Sequence, residues 1–435
     1  MGESSMSCTS RVYVADSDDS DNEGGLGNVE RVVMRPPGHS GKAKKGHLCF
    51  DAIYETGNLG RVDFINDYEY DLFIRPDTCN PRYRFWFNFS VENVHVDQRI
   101  IFNIVNISKT RNLFAKGMTP IVRSTSRPKW QRIPRENVYY YKSPEHSNNF
   151  VLSFAFAFDR DEERYQFSCC YPYSYSRLQL YIDEILAKKP TLVTREVISK
   201  SIKGRNLDLL TITEPNAITE EPVKKRIVMV LGRQHPGESP SSFVVQGLID
   251  FLLSKHNIAK ELREKLIFKI IPMMNPDGVF LGNYRGSLIG TDLNRVWHES
   301  DEHVNPTVFA VDQLIQSLSK SKETPLDFVL DIHISNTMLG LFILGNAFDS
   351  VFRNERHIVF PKMMAQNCKD FSHENTMYNK DPDKQGTARR HLAETIESQD
   401  TNVYSVEVSM YGYKPDPKSN EIIPYTEENC EYTFF

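Results

Sequence analysis

Residues 235–238, with the sequence HPGE, carry the first side chains that could do chemistry. His235 and Glu238 follow the apolar run RIVMVL at 226–231, and α/β sheets bind their ligands at the carboxyl ends of their strands. A catalytic zinc ion takes three protein ligands and keeps one position open, and two histidines with one glutamate form such a set. His235 and Glu238 are therefore two candidate metal ligands.

The third candidate ligand is His333, near the end of the apolar run DFVLDIHI at 327–334. If both runs are parallel strands, their carboxyl ends lie at one edge of the sheet, and His333 can reach the same ion. Asp331 points to the same side of the strand, so it could accept the other ring N–H or support a neighbouring loop. We expect one zinc ion per chain. A core histidine satisfied by the backbone is the alternative.

A second His-x-x-Glu match runs from His391 to Glu394. With 12 histidines in the chain, about one such match is expected by chance, so the spacing alone selects neither site. This match lies in a helix-like segment, and we expect an ordinary amphipathic helix surface there.

Glu407 is the candidate general base. It lies inside the apolar run NVYSVEVSM at 402–410, between Val406 and Val408. Burying a carboxylate without a role is costly, and burial raises its pKa, as a general base for hydrolysis requires. A glutamate on the solvent face of an edge strand is the alternative.

The segment NYRGSLIGTDLNRVW at 283–297 holds Arg285 and the pair Asn294-Arg295 among glycines. Planar guanidinium groups donate two parallel hydrogen bonds to a carboxylate. A substrate carboxylate is thus one candidate ligand, and two solvated loop arginines are the alternative.

Three stretches of the chain differ in composition, and each predicts a different kind of structure around these residues. Residues 1–45 combine an acidic run, glycines and a lysine cluster, which predicts a disordered tail. Residues 46–175 contain short β-branched and aromatic runs, which predict an antiparallel β-sandwich domain. Residues 176–435 alternate apolar runs with helical patterns, which predicts an α/β domain with a mixed, mostly parallel sheet and helices on both faces. Ser239 and Pro240 are the predicted cap and first residue of the helix after HPGE.

Composition excludes several classes of function. The chain is 40% hydrophobic, which is typical of a globular protein. Its formal charge of -5 gives no overall positive potential that would attract nucleic acid. No apolar stretch is long enough to span a bilayer, so we expect no membrane partner. The seven scattered cysteines indicate reduced thiols in the cytosol or nucleus.

In chain order, HPGE, NPDG, RGSLIGTDLNR, DIH and YSVEVS resemble the motifs of the M14 zinc carboxypeptidases. The aromatic YPYSY segment at 171–175 and the β-rich first half resemble the cytosolic carboxypeptidase subfamily. The resemblance covers most of the chain beyond the tail. It implies a metallocarboxypeptidase-like catalytic domain behind a β-sandwich.

The same resemblance implies a role for each candidate residue. It implies that His235, Glu238 and His333 hold the zinc ion. It implies that Glu407 is the general base and that Arg285 stabilises the scissile carbonyl. It further implies that Asn294 and Arg295 bind the terminal carboxylate and that Arg389 binds an acidic side chain of the substrate. Two positions depart from the family pattern, since Ile334 and Ala388 stand where smaller residues are usual.

Family members remove glutamates from the C-terminus or from side-chain branches of tubulin and other acidic-tailed proteins. The expected function is therefore deglutamylation of polyglutamylated tubulin or microtubules by a glutamate-specific enzyme. The resemblance places the enzyme in the cytoplasm, at microtubules, centrioles or cilia. A zinc-containing binding module for acidic tails and a small-molecule N-acyl amino acid deacylase are the alternatives.

Overall fold

The computed structural model describes residues 27–215, 224–416 and 418–427. They fall into two compact units. The first contains the described residues up to Pro172 together with Val279–Gly290, and the second contains Tyr173–Gly278 and the residues from Thr291 onward. The sequence predicts a boundary after residue 175 and does not anticipate that 279–290 belongs to the first unit.

The first unit is built from short strands. They are β1 Val32–Val33, β2 Cys49–Asp51, β3 Arg61–Asn66, β4 Glu69–Phe73, β5 Asn88–Glu92, β6 Arg99–Ile104, β7 Ile121–Ser124, β8 Gln131–Arg132, β9 Val138–Ser143, β10 Asn149–Ala157 and β11 Tyr165–Ser168. Short 3-10 helices at Leu113–Lys116 and Arg135–Asn137 lie between them.

Two sheets face each other in this unit. The order β1-β2-β5-β11-β7-β8 is antiparallel throughout, whereas β3-β4-β6-β10-β9 contains one parallel pair, β4 with β6. Alternating aromatic residues fill the space between the sheets, where the rings of Phe102 and Phe167 lie 5.4 Å apart. The predicted β-sandwich is confirmed, with that parallel pair as its exception.

The ordered structure begins earlier than the sequence predicts. Val29, Val32 and Met34 are at most 2% exposed, and β1 pairs with β2. The prediction of a disordered tail over 1–45 is therefore wrong from residue 27 onward, because these apolar side chains complete the sandwich core. Residues 1–26 lie outside the described residues.

The second unit alternates helices and strands. The helices are α1 Tyr175–Lys188, α2 Pro240–Leu252, α3 Asn257–Lys265, α4 Pro276–Leu281, α5 Pro306–Ser319, α6 Val351–Asn367 and α7 Ala388–Thr395, with α4 running into the segment counted with the first unit. The strands are β12 Val193–Lys200, β13 Asn206–Ile212, β14 Arg226–Gly232, β15 Leu266–Ile271, β16 Leu326–Ser335, β17 Leu341–Asn346, β18 Met377–Asn379, β19 Asn402–Ser409, β20 Gly412–Tyr413 and β21 Ile423–Pro424.

The main sheet of this unit has the order β12-β13-β15-β14-β16-β19-β17-β18. Its four central strands, β15, β14, β16 and β19, run parallel, and antiparallel pairs flank them. Helices α5 and α7 pack on one face against Met229, Val329 and Val403, while α2 packs on β14 and β16 and Phe360 of α6 packs on Phe328. The predicted mixed sheet with helices on both faces is confirmed.

Helix α2 begins at Pro240, as predicted. Ser239 precedes it but makes no capping hydrogen bond, because its backbone is already helical. None of the described helices is long and apolar enough to cross a membrane. The five described cysteines are free thiols, while Cys8 and Cys430 lie outside the described residues.

Candidate active site

The three predicted metal ligands converge at the carboxyl ends of β14 and β16. His235, Glu238 and His333 each present a ligand atom, and these atoms lie within 4.8 Å of one another. Nδ1 of His235 is 2.7 Å from Oε1 of Glu238, and Nδ1 of His333 is 3.1 Å from Oε2. All three side chains are buried. The site therefore has the spacing and the enclosure of a metal centre.

A sharp turn after β14 places the first two ligands. Gly232 ends the strand against the backbone of Pro272, where a Cβ would lie 2.9 Å from the carbonyl oxygen. Arg233 then adopts a left-handed backbone with φ of 56°. Its buried guanidinium donates to the Pro236 carbonyl and to Ser242, and so ties the ligand loop to the first turn of α2.

Two further carboxylates orient the histidine rings. Oδ2 of Asp331 lies 2.7 Å from Nε2 of His333, and Oδ1 of Asp292 lies 2.9 Å from Nε2 of His235. If each Nε2 carries the proton, both Nδ1 lone pairs face Glu238 and can bind a cation. The predicted contact of Asp331 with the other ring nitrogen is confirmed. Asp292 was missed, although its place two residues before Asn294 was visible in the sequence.

The donor set fits a zinc ion. Two neutral imidazoles and one carboxylate are the borderline ligands that zinc prefers, and carboxylates on the outer ring nitrogens are the usual support of such sites. Among the described residues, no other group of three candidate ligands converges in this way. One zinc ion per chain therefore suits this structure.

Electrostatics without the ion show the same fit. Burial disfavours charge on Glu238, yet the rings of His235 and His333 outweigh it and hold the pKa of this carboxyl below its usual range. Burial likewise opposes a charged His333, but the carboxylates of Asp331 and Glu238 raise the pKa of this ring well above its ordinary value. Glu238 is thus an ionised ligand for a cation, and a bound zinc ion would compete with a proton for Nδ1 of His333.

Glu407 lies directly beside the metal site. It is in β19, where it pairs in register with His333 of β16. Because β19 lies between β16 and β17, the alternative of an edge strand is wrong. Burial raises the pKa of Glu407, with the charge of Glu238 adding to the effect, while its side chain keeps partial exposure. A partly exposed carboxylate with raised proton affinity suits a general base.

Asn294 and Arg295 end a short 3-10 helix, Leu293–Arg295. The Asn294 amide nitrogen lies 3.0 Å from Nε2 of His333, and its oxygen accepts from the backbone N–H of Ala388. Arg295 is partly exposed, and its guanidinium donates to the Asn294 carbonyl over 2.7 Å. Both residues therefore belong to the surroundings of the metal site, with Arg295 open to a ligand.

Arg389 lies in the first turn of α7 and is 3% exposed. Its guanidinium donates to three neutral oxygens, namely the Gly345 carbonyl and the side chains of Asn346 and Asn379, at 2.6 to 2.9 Å. Burial and the neighbouring Arg390 lower the pKa of Arg389 to about 10, so it stays charged at neutral pH. A buried cation held by neutral acceptors is well suited to an anionic ligand.

Arg285 is placed differently from the other predicted residues. It lies in the segment 279–290, which belongs to the first unit. There its backbone N–H donates to Asp77, whose carboxylate also accepts from the N–H groups of Tyr284 and Gly286. The second unit therefore brings together every other predicted site residue, and the role of Arg285 stays a prediction.

Comparison with known proteins agrees with this fold. The family described as "Zinc carboxypeptidase" matches residues 178–432, which is more than half of the chain. The chain is thus a member of the zinc carboxypeptidase family. The family described as "Cytosolic carboxypeptidase N-terminal domain" matches residues 50–165.

Individual relatives narrow the family. The chain is 52% identical to "Cytosolic carboxypeptidase 6" of Homo sapiens over 92% of this chain and 79% of that protein. It is 39% identical to the protein of that name from Caenorhabditis elegans over 90% and 84%. The chain therefore belongs to the cytosolic carboxypeptidase family. A metallo-carboxypeptidase structure from Burkholderia cenocepacia shares the fold, with a TM-score of 0.72 and 20% identity over 88% of this chain and 95% of that chain.

Proposed function

We propose that this zinc carboxypeptidase is specific for glutamate and shortens glutamate chains. Its substrates are the C-terminal or side-chain-branch glutamates of polyglutamylated tubulin, of microtubules and of other proteins with glutamate-rich C-termini. The observation that carries this proposal is Arg389 in the unit that contains the metal site, a buried guanidinium whose hydrogen bonds to the described residues go to neutral oxygens. The carboxylates of Asp331, Glu407 and Asp381 act on this cation electrostatically, and a glutamate side chain of the substrate would add a direct charge-assisted hydrogen bond.

The residues divide the reaction among them. A zinc ion bound by His235, Glu238 and His333 would lower the pKa of a water molecule and so activate it for attack. The Glu407 carboxylate accepts the proton of that water and delivers it to the leaving amide nitrogen.

Three further residues act on the substrate itself. Arg295 and Asn294 bind the terminal α-carboxylate, which makes the enzyme an exopeptidase. Arg285 stabilises the negative charge that develops on the scissile carbonyl oxygen.

Such substrates place the enzyme in the cytoplasm, at microtubules, centrioles or cilia. A zinc-containing binding module for acidic tails with little turnover is the main rival, and a small-molecule N-acyl amino acid deacylase is the other. The raised pKa of Glu407 beside the metal site favours catalysis over binding alone.

A product analysis tests the proposal. The purified protein is incubated with polyglutamylated tubulin and with peptides that end in Glu, Asp or Leu, and the products are identified by mass spectrometry. We expect single glutamates to be released from tubulin and from the Glu-ending peptides, with loss of activity in a chelator. Equal release of Leu and Glu would contradict glutamate specificity, and binding without release would favour the binding module.

A further inference from the structure

The first unit carries an excess of positive charge in one stretch of sequence. Between residues 109 and 142 there are nine lysines and arginines but one acidic residue, Glu136, whereas the whole chain has 52 basic and 57 acidic residues. Seven of the nine cations are exposed, namely Arg111, Lys116, Arg123, Arg127, Lys129, Arg135 and Lys142. We call residues 109–142 the basic edge.

The fold gathers this stretch along the border of the sandwich. β8 is the last strand of one sheet and β9 is the last strand of the other, and only five residues, 133–137, join them. Each of the two strands therefore has a side that no other described strand pairs with. An edge strand with unpaired backbone groups can accept an extended peptide by strand addition.

Contacts within the basic edge hold its first group of cations together. Tyr140 and Lys142 are two residues apart in β9 and share a face. The Tyr140 hydroxyl donates to the Thr110 carbonyl and accepts from the Asn112 amide, so Arg111 lies beside this face. The guanidinium of Arg135 packs on Gly117, next to Lys116, where a Cβ would lie 2.9 Å from its central carbon. Arg135 therefore packs beside the residue that follows Lys116, and a surface with several cations and few carboxylates favours an anionic ligand.

The second group of cations surrounds a small cavity. Arg123, Arg127 and Lys129 line a hollow of about 200 Å³ beside the β7–β8 hairpin. Arg123 stacks on Trp130 with 4.6 Å between the guanidinium and the ring centre, which keeps the cation at the surface. Asp159 pairs with Arg127 and offsets one of the charges. The hollow remains basic, and its size suits a side-chain carboxylate rather than a folded partner.

We propose that the basic edge is a docking surface for the acidic segment of a polypeptide substrate, separate from the residues that hold the metal. Exposed cations would attract the carboxylates, and the open strands would accept the extended backbone. The choice of an acidic polypeptide rests on the proposed function. A nucleic acid would also be attracted by the charge, but it could not add a strand to β8 or β9.

The test compares two charge-matched variants. One carries Lys116→Glu, Lys129→Glu and Lys142→Glu in the basic edge. The control carries Lys255→Glu, Lys320→Glu and Lys322→Glu, three exposed lysines outside the basic edge. Lys255 precedes α3, and Lys320 and Lys322 precede the amino end of β16, opposite the sheet edge that holds the metal ligands. Both variants change the net charge equally, and circular dichroism checks that both fold.

Two assays are applied to wild type and to both variants. Fluorescence anisotropy measures binding of a labelled glutamate-rich peptide with an amidated C-terminus, which offers no terminal carboxylate to Arg295. Hydrolysis of a long acidic peptide ending in Glu is then compared with hydrolysis of an acylated Glu-Glu dipeptide. We expect the basic-edge variant to bind the amidated peptide about 10-fold more weakly and to raise KM for the long peptide by about the same factor.

The dipeptide should be cleaved with unchanged kcat and KM, and the control variant should match wild type in every assay. An equal loss of peptide binding in both variants, or no loss in either, would contradict the proposal that the basic edge is a docking surface. It would also be overturned if an RNA oligonucleotide bound more tightly than the acidic peptide and the basic-edge variant released it. Failure to cleave any peptide would count against the proposed function alone, because the anisotropy assay needs no catalysis.

Discussion

His235–Glu238 and His391–Glu394 share one spacing but lie in different surroundings. The first pair lies in a buried loop that follows a parallel strand. Nδ1 of His235 is 2.7 Å from Oε1 of Glu238, and both side chains lie beside His333. In the second pair, His391 lies 3.2 Å from Asp312, while Glu394 accepts a hydrogen bond from Arg390 on the same helix. The interpretation of the second match as a helix surface is confirmed. Spacing is informative only with the element that carries it.

Metal content should separate the two pairs most strongly. His235→Ala and His333→Ala each remove one of three proposed ligands, so the purified variants should lack the zinc ion that we expect in the wild type at one per chain. His391→Ala should keep it, because its ring faces Asp312. Elemental analysis gives the stoichiometry. Zinc at full occupancy in both of the first two variants would refute the assigned centre.

Turnover should depend on the carboxylate beside the first pair. Glu407→Gln keeps the shape of the side chain but cannot accept a proton, so kcat should fall by ~10²–10⁴ with zinc retained. Glu394→Gln is the matched change in the second pair and should leave kcat unaltered. Steady-state kinetics on a Glu-ending peptide would measure both. A Glu407→Gln enzyme within a few-fold of wild type would assign the base elsewhere.

Helix α7 should contribute through Arg389 rather than through His391. Arg389→Leu removes a charge-assisted contact worth ~1.5–3 kcal/mol, so kcat/KM for Glu-ending peptides should fall about 10- to 150-fold while Leu-ending peptides hold or improve. Arg295→Leu should slow all peptides alike, because each carries an α-carboxylate. Equal slowing of both peptides by Arg389→Leu would give Arg389 a purely structural role.

Arg390, the next residue of α7, would be a poor control for the Arg389→Leu experiment. It is 5% exposed and pairs with Glu394, so its replacement would disturb packing as well as charge. Arg295 is the better comparison because it is partly exposed.

The smallest expected difference concerns the carboxylates behind the histidines. Asp331→Asn leaves the His333 ring without its anionic acceptor, and changes of this kind typically cost ~10–100-fold in metal affinity. Asp312→Asn makes the same change behind His391 and should leave zinc affinity as it is. Competition with a chelator measures both. Equal affinity in wild type and Asp331→Asn would show that the carboxylate does not tune the site.

Much of the site was predictable because its signals are local. HPGE after one apolar run and a histidine near the end of another give both the ligand types and their shared edge, since parallel strands align their carboxyl ends. Glu407 could be chosen because a glutamate between two valines in an apolar run is costly to bury unless it has a role. The contact of Asp292 with the His235 ring was not predicted because the two residues lie 57 positions apart in the sequence.

The predictions that failed concern long-range packing. The sequence of residues 27–45 is polar enough to predict a tail, yet three apolar side chains complete the sandwich core and order the segment. The assignment of 279–290 to the first unit depends on contacts such as those with Asp77, some 200 residues earlier, which no local pattern indicates.

The sequence by itself determined which side chains could bind zinc, which elements carry them and the class of fold, because strand periodicity, turn residues and burial of apolar runs are properties of short segments. Only the tertiary structure decided which of these side chains meet. Glu407 stands beside His333 because of the register between β16 and β19, and Arg389 is held by neutral oxygens because α7 packs beside β17 and β18. Register and packing minimise the free energy of the whole chain, so residues far apart in sequence determine them together.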